Sequence, residues 1–546
     1  MKTNHKIYSA HHRLLSVVLL AVALFGTACT KNFEKYNTDP TGLSPDQLKP
    51  DRNYLGLMFP QIQSSIYYNY NNTDWEFQLQ QNLGADVFSG YMMSPNPFST
   101  GITNFNYGLR EGWNGTAFTV PYNNVMAPVT ELARLGARKD APDFWGIALI
   151  LKVEAMHRVT DVYGPIPYSK YGASSTAAAY DSQEEVYNAM FKDLDTALTN
   201  LKAFTTANPG KTPYAKFDMV YKGDYKQWIK FANSLRLRLA IRISYANATK
   251  AKAEVEKSLD PINGGVLTAN TDNMLVSGYG LRHPLRTMID NWSDMSINAS
   301  LQSYMAGFKD PRIGKYMDST SYAKAKGKYL YLGIRGGCKM LAKPAYSGYS
   351  TPNFKDNKTF TPNTPIQLMT SAEVYFLRAE AALKGWTEKA SPQELYEKGV
   401  QTSMEQWGTA AGASAYLNDA VSTPAAYVDP QNAANNAPVP STITVKWDNA
   451  ASDEEKLERI ITQKWIAMFP EGQEAWSEFR RTTYPKIFPP VENYSNNTIN
   501  TDIQIRRLPF PSTEYTSNKA EVEKAVQLLG GGADNGGTRL WWDKKP

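Results

Sequence analysis

The chain has 546 residues, 42% of them hydrophobic, with a net charge of +6 and two cysteines. That is enough apolar material for one large domain or two moderate ones. So mild a charge gives no reason to expect nucleic acid as a partner, and two cysteines exclude a disulfide framework.

Lys2, Lys6 and Arg13 precede an apolar run at 14–25 (LLSVVLLAVALF), followed by Gly26-Thr27-Ala28-Cys29. A basic start, about a dozen apolar residues and a small-residue exit predict a signal peptide at 1–28. The run is too short for a bilayer, which needs about 20 apolar residues. Small residues leading into Cys29 resemble a lipobox, although Gly26 stands where leucine is usual, and they make Cys29 the candidate lipid attachment site. The alternative is ordinary secretion with cleavage beside Cys29. Removing 1–28 takes away three positive charges and leaves +3. The polar, turn-rich stretch up to residue 50 reads as a tether (29–50) leading to a main domain at 51–546.

From there the periodic segments are mostly helical. Phe144, Ala148, Leu151, Ala155, Val159 and Val162 recur at three- and four-residue steps. The helix they predict ends in TDVYGPIPYSKYG (160–172), where Gly164 suits a left-handed cap and Pro165 and Pro167 forbid continuation. This reads as a corner of the scaffold, with its tyrosines packed on neighbouring helices. Tyr187, Phe191, Leu194, Leu198 and Leu201 predict a second helix, with Asp181 and Ser182 as cap candidates and Glu184 and Glu185 in its first turn. Trp228, Ala232, Leu235 and Leu239 form a third stripe. SAEVYFLRAEAALKGW and SPQELYEKGVQTSMEQW predict two helices broken near Gly385, the second opened by Ser391 and Pro392. Such a pair resembles a tetratricopeptide-type hairpin. LERIITQKWIAMF and GQEAWSEFRRTTYP supply two more helices.

Strand signals are few: YLYLGIRGG (329–337) alternates, and VLTANTDNMLV (266–276) has room for a short strand. Long irregular stretches at 88–120, 340–366 and 408–450 exceed ordinary loop lengths and point to function or disorder. The predicted fold is mainly α: a tetratricopeptide-type helical scaffold with large irregular loops and a few short β-strands.

No catalytic or cofactor motif is present: no HExxH, GxSxG or phosphate loop. Only His157 and His283 remain after the signal peptide, too few for a histidine metal site or triad. Glu471, Glu474 and Glu478 lie at helical spacing beside Arg480 and Arg481. They read as an amphipathic helix with intrahelical charge pairs, the alternative being a glycosidase acid pair. Asp310-Pro311-Arg312 reads as a turn with a surface charge pair. Two loop stretches suit a ligand. In 88–115, Tyr91, Phe98, Tyr107 and Trp113 are interleaved with asparagines and Arg110, outside any helical period. In 277–292, Tyr279 and Trp292 accompany Arg282 and Arg286. Aromatic faces stack on sugar rings while amides and guanidinium groups bond their hydroxyls, and loops on rigid scaffolds often carry such sites. The alternative for each ring is folding the loop onto its own scaffold.

The lipobox-like start running into NTDP, the DVYGPIPY corner, SAEVYFLRAEAAL, FPEGQEAWSEFRRT, RRLPFPSTEY and GGADNGGTRLWWD together resemble the SusD/RagB family, in the expected order along nearly all of the mature chain. The resemblance implies a lipid-anchored protein on the outer face of the outer membrane, with a tetratricopeptide-containing helical fold. It implies a SusC-like TonB-dependent transporter as partner, and capture of a nutrient, most often an oligosaccharide and in some members a peptide. It implies no cofactor and carries over no binding residue. A surface glycosidase and a structural assembly protein remain as alternatives.

Overall fold

The computed structural model describes residues 50–67, 73–98, 101–173, 177–325, 327–353, 361, 363–386 and 389–545. Two units are distinguished, 1–54 and 55–546. Of the first, a single turn at Pro50–Arg52 is described; the signal peptide, Cys29 and the tether lie outside the described residues.

The second unit is built on eight principal helices: α1 (Pro142–Tyr163), α2 (Gln183–Ala207), α3 (Tyr225–Arg242), α4 (Ala248–Leu259), α5 (Ser371–Leu383), α6 (Pro392–Gln406), α7 (Asp453–Met468) and α8 (Gly472–Thr482). Consecutive helices pack as hairpins, α1 with α2, α3 with α4 and α5 with α6, and α3 joins the sets by packing on α2 and α5. The predicted starts hold. Ser182 caps α2 in a box with Glu185, and Ser391 caps α6 in a box with Glu394, with Pro392 in its first turn. Each cap satisfies otherwise orphaned amides and contributes about 1 kcal/mol. Gly385, at φ 68°, supplies the left-handed residue that ends the first arm of the α5/α6 hairpin.

α1 is buried on almost every side, so its apolar stripe marks only part of its packing surface. Gly164 has the positive φ expected of it (88°), but ψ of −118° takes it out of the left-handed cap conformation. The helix end is closed from outside instead: Arg507 donates to the Tyr163 carbonyl at 2.9 and 3.1 Å, and the Leu508 amide donates to that of Val162. The corner is scaffold: Tyr163 and Tyr168 are buried, and the Tyr168 hydroxyl donates to Asp193 on α2 at 2.7 Å.

Four short strands occur among the described residues: β1 (Met92–Met93), β2 (Met274–Val276), β3 (Ser296–Ile297) and β4 (Ile366–Met369). β2 falls inside the predicted 266–276 stretch and pairs antiparallel with β4. The 329–337 stretch forms no strand; its backbone makes one isolated parallel bridge, Asn298 to Ile334. Asp310 and Arg312 are not a surface pair. Both are buried 2.6 Å apart, and Arg312 also donates to Ser403 and Gln463.

Candidate ligand-binding site

β1 and β3 are two residues each, paired antiparallel with Met92 opposite Ile297 and Met93 opposite Ser296. Small as it is, this pair joins the first loop stretch singled out in the sequence to residues that closely follow the second. Beyond it, Asn96 donates to one oxygen of Asp294 at 3.2 Å and Gln78 to the other at 3.4 Å. A third loop joins the same strand, for the Ile297 amide donates to the Ser350 carbonyl at 2.9 Å. From that loop Lys343 reaches back to Asp294 at 2.7 Å and to the Trp292 carbonyl at 2.6 Å.

The three loops, together with the 318–321 segment, enclose a cleft of about 540 Å³. Its wall mixes apolar surface (Ile289, Met295, Pro344) with the side chains of Asp290, Ser321 and Lys343. Tyr346 and Tyr349 form its floor, with ring centroids 5.4 Å apart. The Tyr346 hydroxyl accepts from the Leu341 amide and the Tyr349 hydroxyl from Gln431. Burial raises both phenols above the ordinary tyrosine range; like any tyrosine they are protonated at neutral pH. Apolar patches between hydroxyls, carboxylates and an ammonium suit a polyhydroxylated ligand with apolar ring faces.

The residues singled out in the sequence fare unequally. Tyr91 is fully buried between Trp465 and Phe469, with its hydroxyl bonded to the Trp465 carbonyl; it is core, and its ring offers no face to a ligand. Tyr107 is 5% exposed with its hydroxyl directed at Gln504, and it too is a packing residue. Phe98 and Trp113 are half-buried and meet edge to face at 4.9 Å, with Phe105 beneath both and Arg110 5.5 Å from the Trp113 ring. The Phe98 turn is tied to the cleft wall, since its amide donates to Asn96. Trp292 is half-buried and contributes its carbonyl to the Lys343 clamp, beside Ser293 of the cleft lining. Tyr279 is 64% exposed with its hydroxyl bonded to the Lys216 carbonyl, and does not line the cleft. Lys343, Tyr346 and Tyr349 were not singled out. The available signal was KPAYSGYS inside an irregular stretch too long for a plain connection.

A family model for SusD-like proteins, described as Susd and RagB outer membrane lipoprotein, matches residues 35–543. The chain belongs to the SusD/RagB family. Among solved structures it resembles a chitin-binding SusD homolog from Flavobacterium johnsoniae, at 42% identity and TM-score 0.85 over 90% of this chain and 99% of that one. A SusD homolog from Bacteroides vulgatus is 40% identical, with TM-score 0.83 over 91% and 99%. One from Bacteroides uniformis is 37% identical, with TM-score 0.81 over 90% and 99%. No curated protein matches. The helical, tetratricopeptide-type architecture is thus that of SusD homologues, and no helix among the described residues is long and apolar enough to cross a membrane.

In this SusD-like protein the carboxylates of α8 are unavailable for chemistry. Glu474 and Glu478 are 2% exposed and both accept from Arg242 of α3. Arg481 pairs with Glu478 three residues before it, as the spacing predicts, but also with Glu380 of α5. Lys464 of α7 lies 3.2 Å from Glu478. The helix is therefore not a solvent-facing amphipath: four helices direct charge into one buried network. Burial raises Glu474, but Arg242, Arg238 and Lys464 outweigh it and hold the carboxyl at about 2, far from a general acid's range. His157 and His283 are buried, and desolvation lowers both.

Proposed function

We propose that this SusD-like protein captures an oligosaccharide in the cleft between the 92–98, 287–296 and 343–351 loops and delivers it to a SusC-like TonB-dependent transporter. In this reading it is held on the outer face of the outer membrane by lipid on Cys29, with 29–50 as tether to the domain beyond. The observation that carries it is the cleft itself, which mixes apolar surface with hydroxyls and the Tyr346 and Tyr349 rings. The chitin-binding relative supports a glycan over a peptide.

Titrating purified protein against a panel of oligosaccharides, chitin fragments included, and against peptides tests the reading. Glycan binding without product formation is the expected result. Catalytic hydrolysis would favour a glycosidase, preferential peptide binding would move the ligand class, and no small-ligand binding would favour an assembly role. For the anchor, Cys29→Ala is expected to yield folded protein released from membranes, since each buried acyl methylene is worth about 0.8 kcal/mol. Retention after a high-salt wash would show that another element holds it there.

A further inference from the structure

The polar wall of the cleft is mostly neutral. Ser293, Ser296, Ser319 and Ser321 line it, and a hydroxyl both donates and accepts, so these side chains do not separate a charged ligand from an uncharged one. Discrimination falls to the charged residues of the lining, which among the described residues are Asp290, Asp318 and Lys343. Two are carboxylates from separate segments, and one is an ammonium.

The ammonium is already engaged. Lys343 donates to Asp294 at 2.7 Å and to the Trp292 carbonyl at 2.6 Å, which occupies two of its three N–H groups. An incoming anion would meet a cation with a carboxylate beside it. Asp290 stands differently. Arg286 reaches one of its oxygens, Oδ2, through Nε, and the other oxygen accepts from no group among the described residues. Arg286 is outside the cleft lining, so the cleft is offered the carboxylate end of this pair. The Asp290 side chain is 17% exposed, and a carboxylate partly removed from water attracts a cation more strongly than a fully solvated one.

We infer that the cleft prefers sugars carrying a free amino group, an ammonium at neutral pH, over their N-acetylated or hydroxyl-bearing equivalents, with Asp290 as the acceptor. This rests on the oligosaccharide reading above and narrows its ligand class to a partly deacetylated amino-sugar chain. The ammonium replaces a neutral donor with a charged one, and a hydrogen bond between ionised partners is about twice as strong as a neutral one. A uronic acid is disfavoured by the same group, since its carboxylate meets like charge at Asp290.

Four disaccharides on one β-linked skeleton isolate the charge: cellobiose, N,N′-diacetylchitobiose, its deacetylated diamine, and cellobiouronic acid. In calorimetric titration the diamine is expected to bind the wild type about 3- to 10-fold more tightly than the diacetyl form, between a screened and a partly desolvated ion pair. Cellobiouronic acid should bind more weakly than cellobiose, and raising the salt should shrink the preference for the diamine. This series needs only the wild type. Asp290→Asn should abolish the preference; because both affinities are measured on the same variant, a general loosening of the wall cancels from their ratio. Equal affinities for the diamine and the diacetyl form, or tightest binding of the acid, would overturn the inference and leave the oligosaccharide reading intact. A preference that survives in Asp290→Asn, or that salt does not touch, would do the same. Binding of none of the four would overturn the inference, and failure across the whole glycan panel would overturn the oligosaccharide reading as well.

Discussion

The Lys343 ammonium lies 2.7 Å from the Asp294 carboxylate, and the two residues come from different loops of the cleft. Lys343 also holds the Trp292 carbonyl, while Asn96 and Gln78 hold the other approaches to Asp294. The side chains are 35% and 13% exposed, so solvent screening leaves the pair little weight in overall stability, about 1 kcal/mol or less. Its effect is to fix the wall.

Lys343→Met is accordingly expected to weaken oligosaccharide binding several-fold while moving the melting midpoint by no more than about 2 °C. Asp294→Asn should act through the same contact, so the double variant should fall short of the sum of the singles. Strict additivity in titration would show that the two residues act independently.

Trp113 is half-buried against Phe98 and Phe105. Truncating a fully buried ring costs about 3–5 kcal/mol, and for this partly covered one Trp113→Ala is expected to cost about 1–3 kcal/mol. Urea unfolding measures it. An unchanged midpoint together with lost glycan affinity would show that the ring serves the ligand and not the loop.

How far the sequence could be read follows from the range of the interactions. Ser182 with Glu185 and Ser391 with Glu394 act within one helical turn, so the helix starts were visible in a few adjacent letters. The pairing of Met92 with Ile297 joins residues about two hundred positions apart through two residues per strand, which leaves no periodic trace. The same holds for charge. Glu474, Glu478 and Arg481 have the spacing of a solvated helix face, and only the arrival of Arg242, Lys464 and Glu380 from other helices makes that face interior. Tyr91 failed for a related reason: the irregular backbone around it suggested a surface loop, whereas Trp465 and Phe469 enclose it. The cleft loops were legible as places, and Lys343, Tyr346 and Tyr349 were not legible as individuals.

Stability should peak in mild acid. Asp86 is fully buried, accepting from the amides of Gln81 and Asn82, and burial raises its carboxyl to about 7. The folded chain then holds a proton that the unfolded chain releases near pH 4. That contribution is complete below about pH 4 and is lost as pH rises through about 7. Glu474 and Glu478 have the opposite sign: burial raises them, but their arginine and lysine neighbours prevail and lower both. Their contribution is complete above about pH 4 and is lost as pH falls toward 2. Melting midpoints from pH 3 to 9 should therefore pass through a maximum near about pH 5. Asp86→Asn should make the neutral side shallower, with Glu154, which burial raises to about 8, keeping the rest of the slope. The Asn82 amide, whose oxygen lacks a partner, can turn to accept from the new side chain. A maximum at neutral pH that Asp86→Asn leaves in place would refute this account.

Among the described residues, Arg335 is a buried cation with no carboxylate paired to it. It is 6% exposed, its Nε and Nη1 groups have no acceptor, and desolvation lowers it to about 10, with the Phe488 ring 4.8 Å away. Removing such a group should help the fold. Arg335→Met is expected to raise stability by about 1–3 kcal/mol, the usual penalty of unsatisfied buried polar groups. Loss of stability in denaturant titration would show that the guanidinium is satisfied in solution.

The two-residue pairing of β1 with β3 has a consequence for how such a protein diversifies. The stitch ties only Met92 and Met93 to Ser296 and Ile297, and among the described residues the 94–98 and 287–295 segments belong to no ladder. Residues can be gained or lost between Ile289 and Met295 without slipping a register or disturbing a helical hairpin. Recognition surface and load-carrying frame are thereby uncoupled, so selection can retailor one while inheriting the other unchanged.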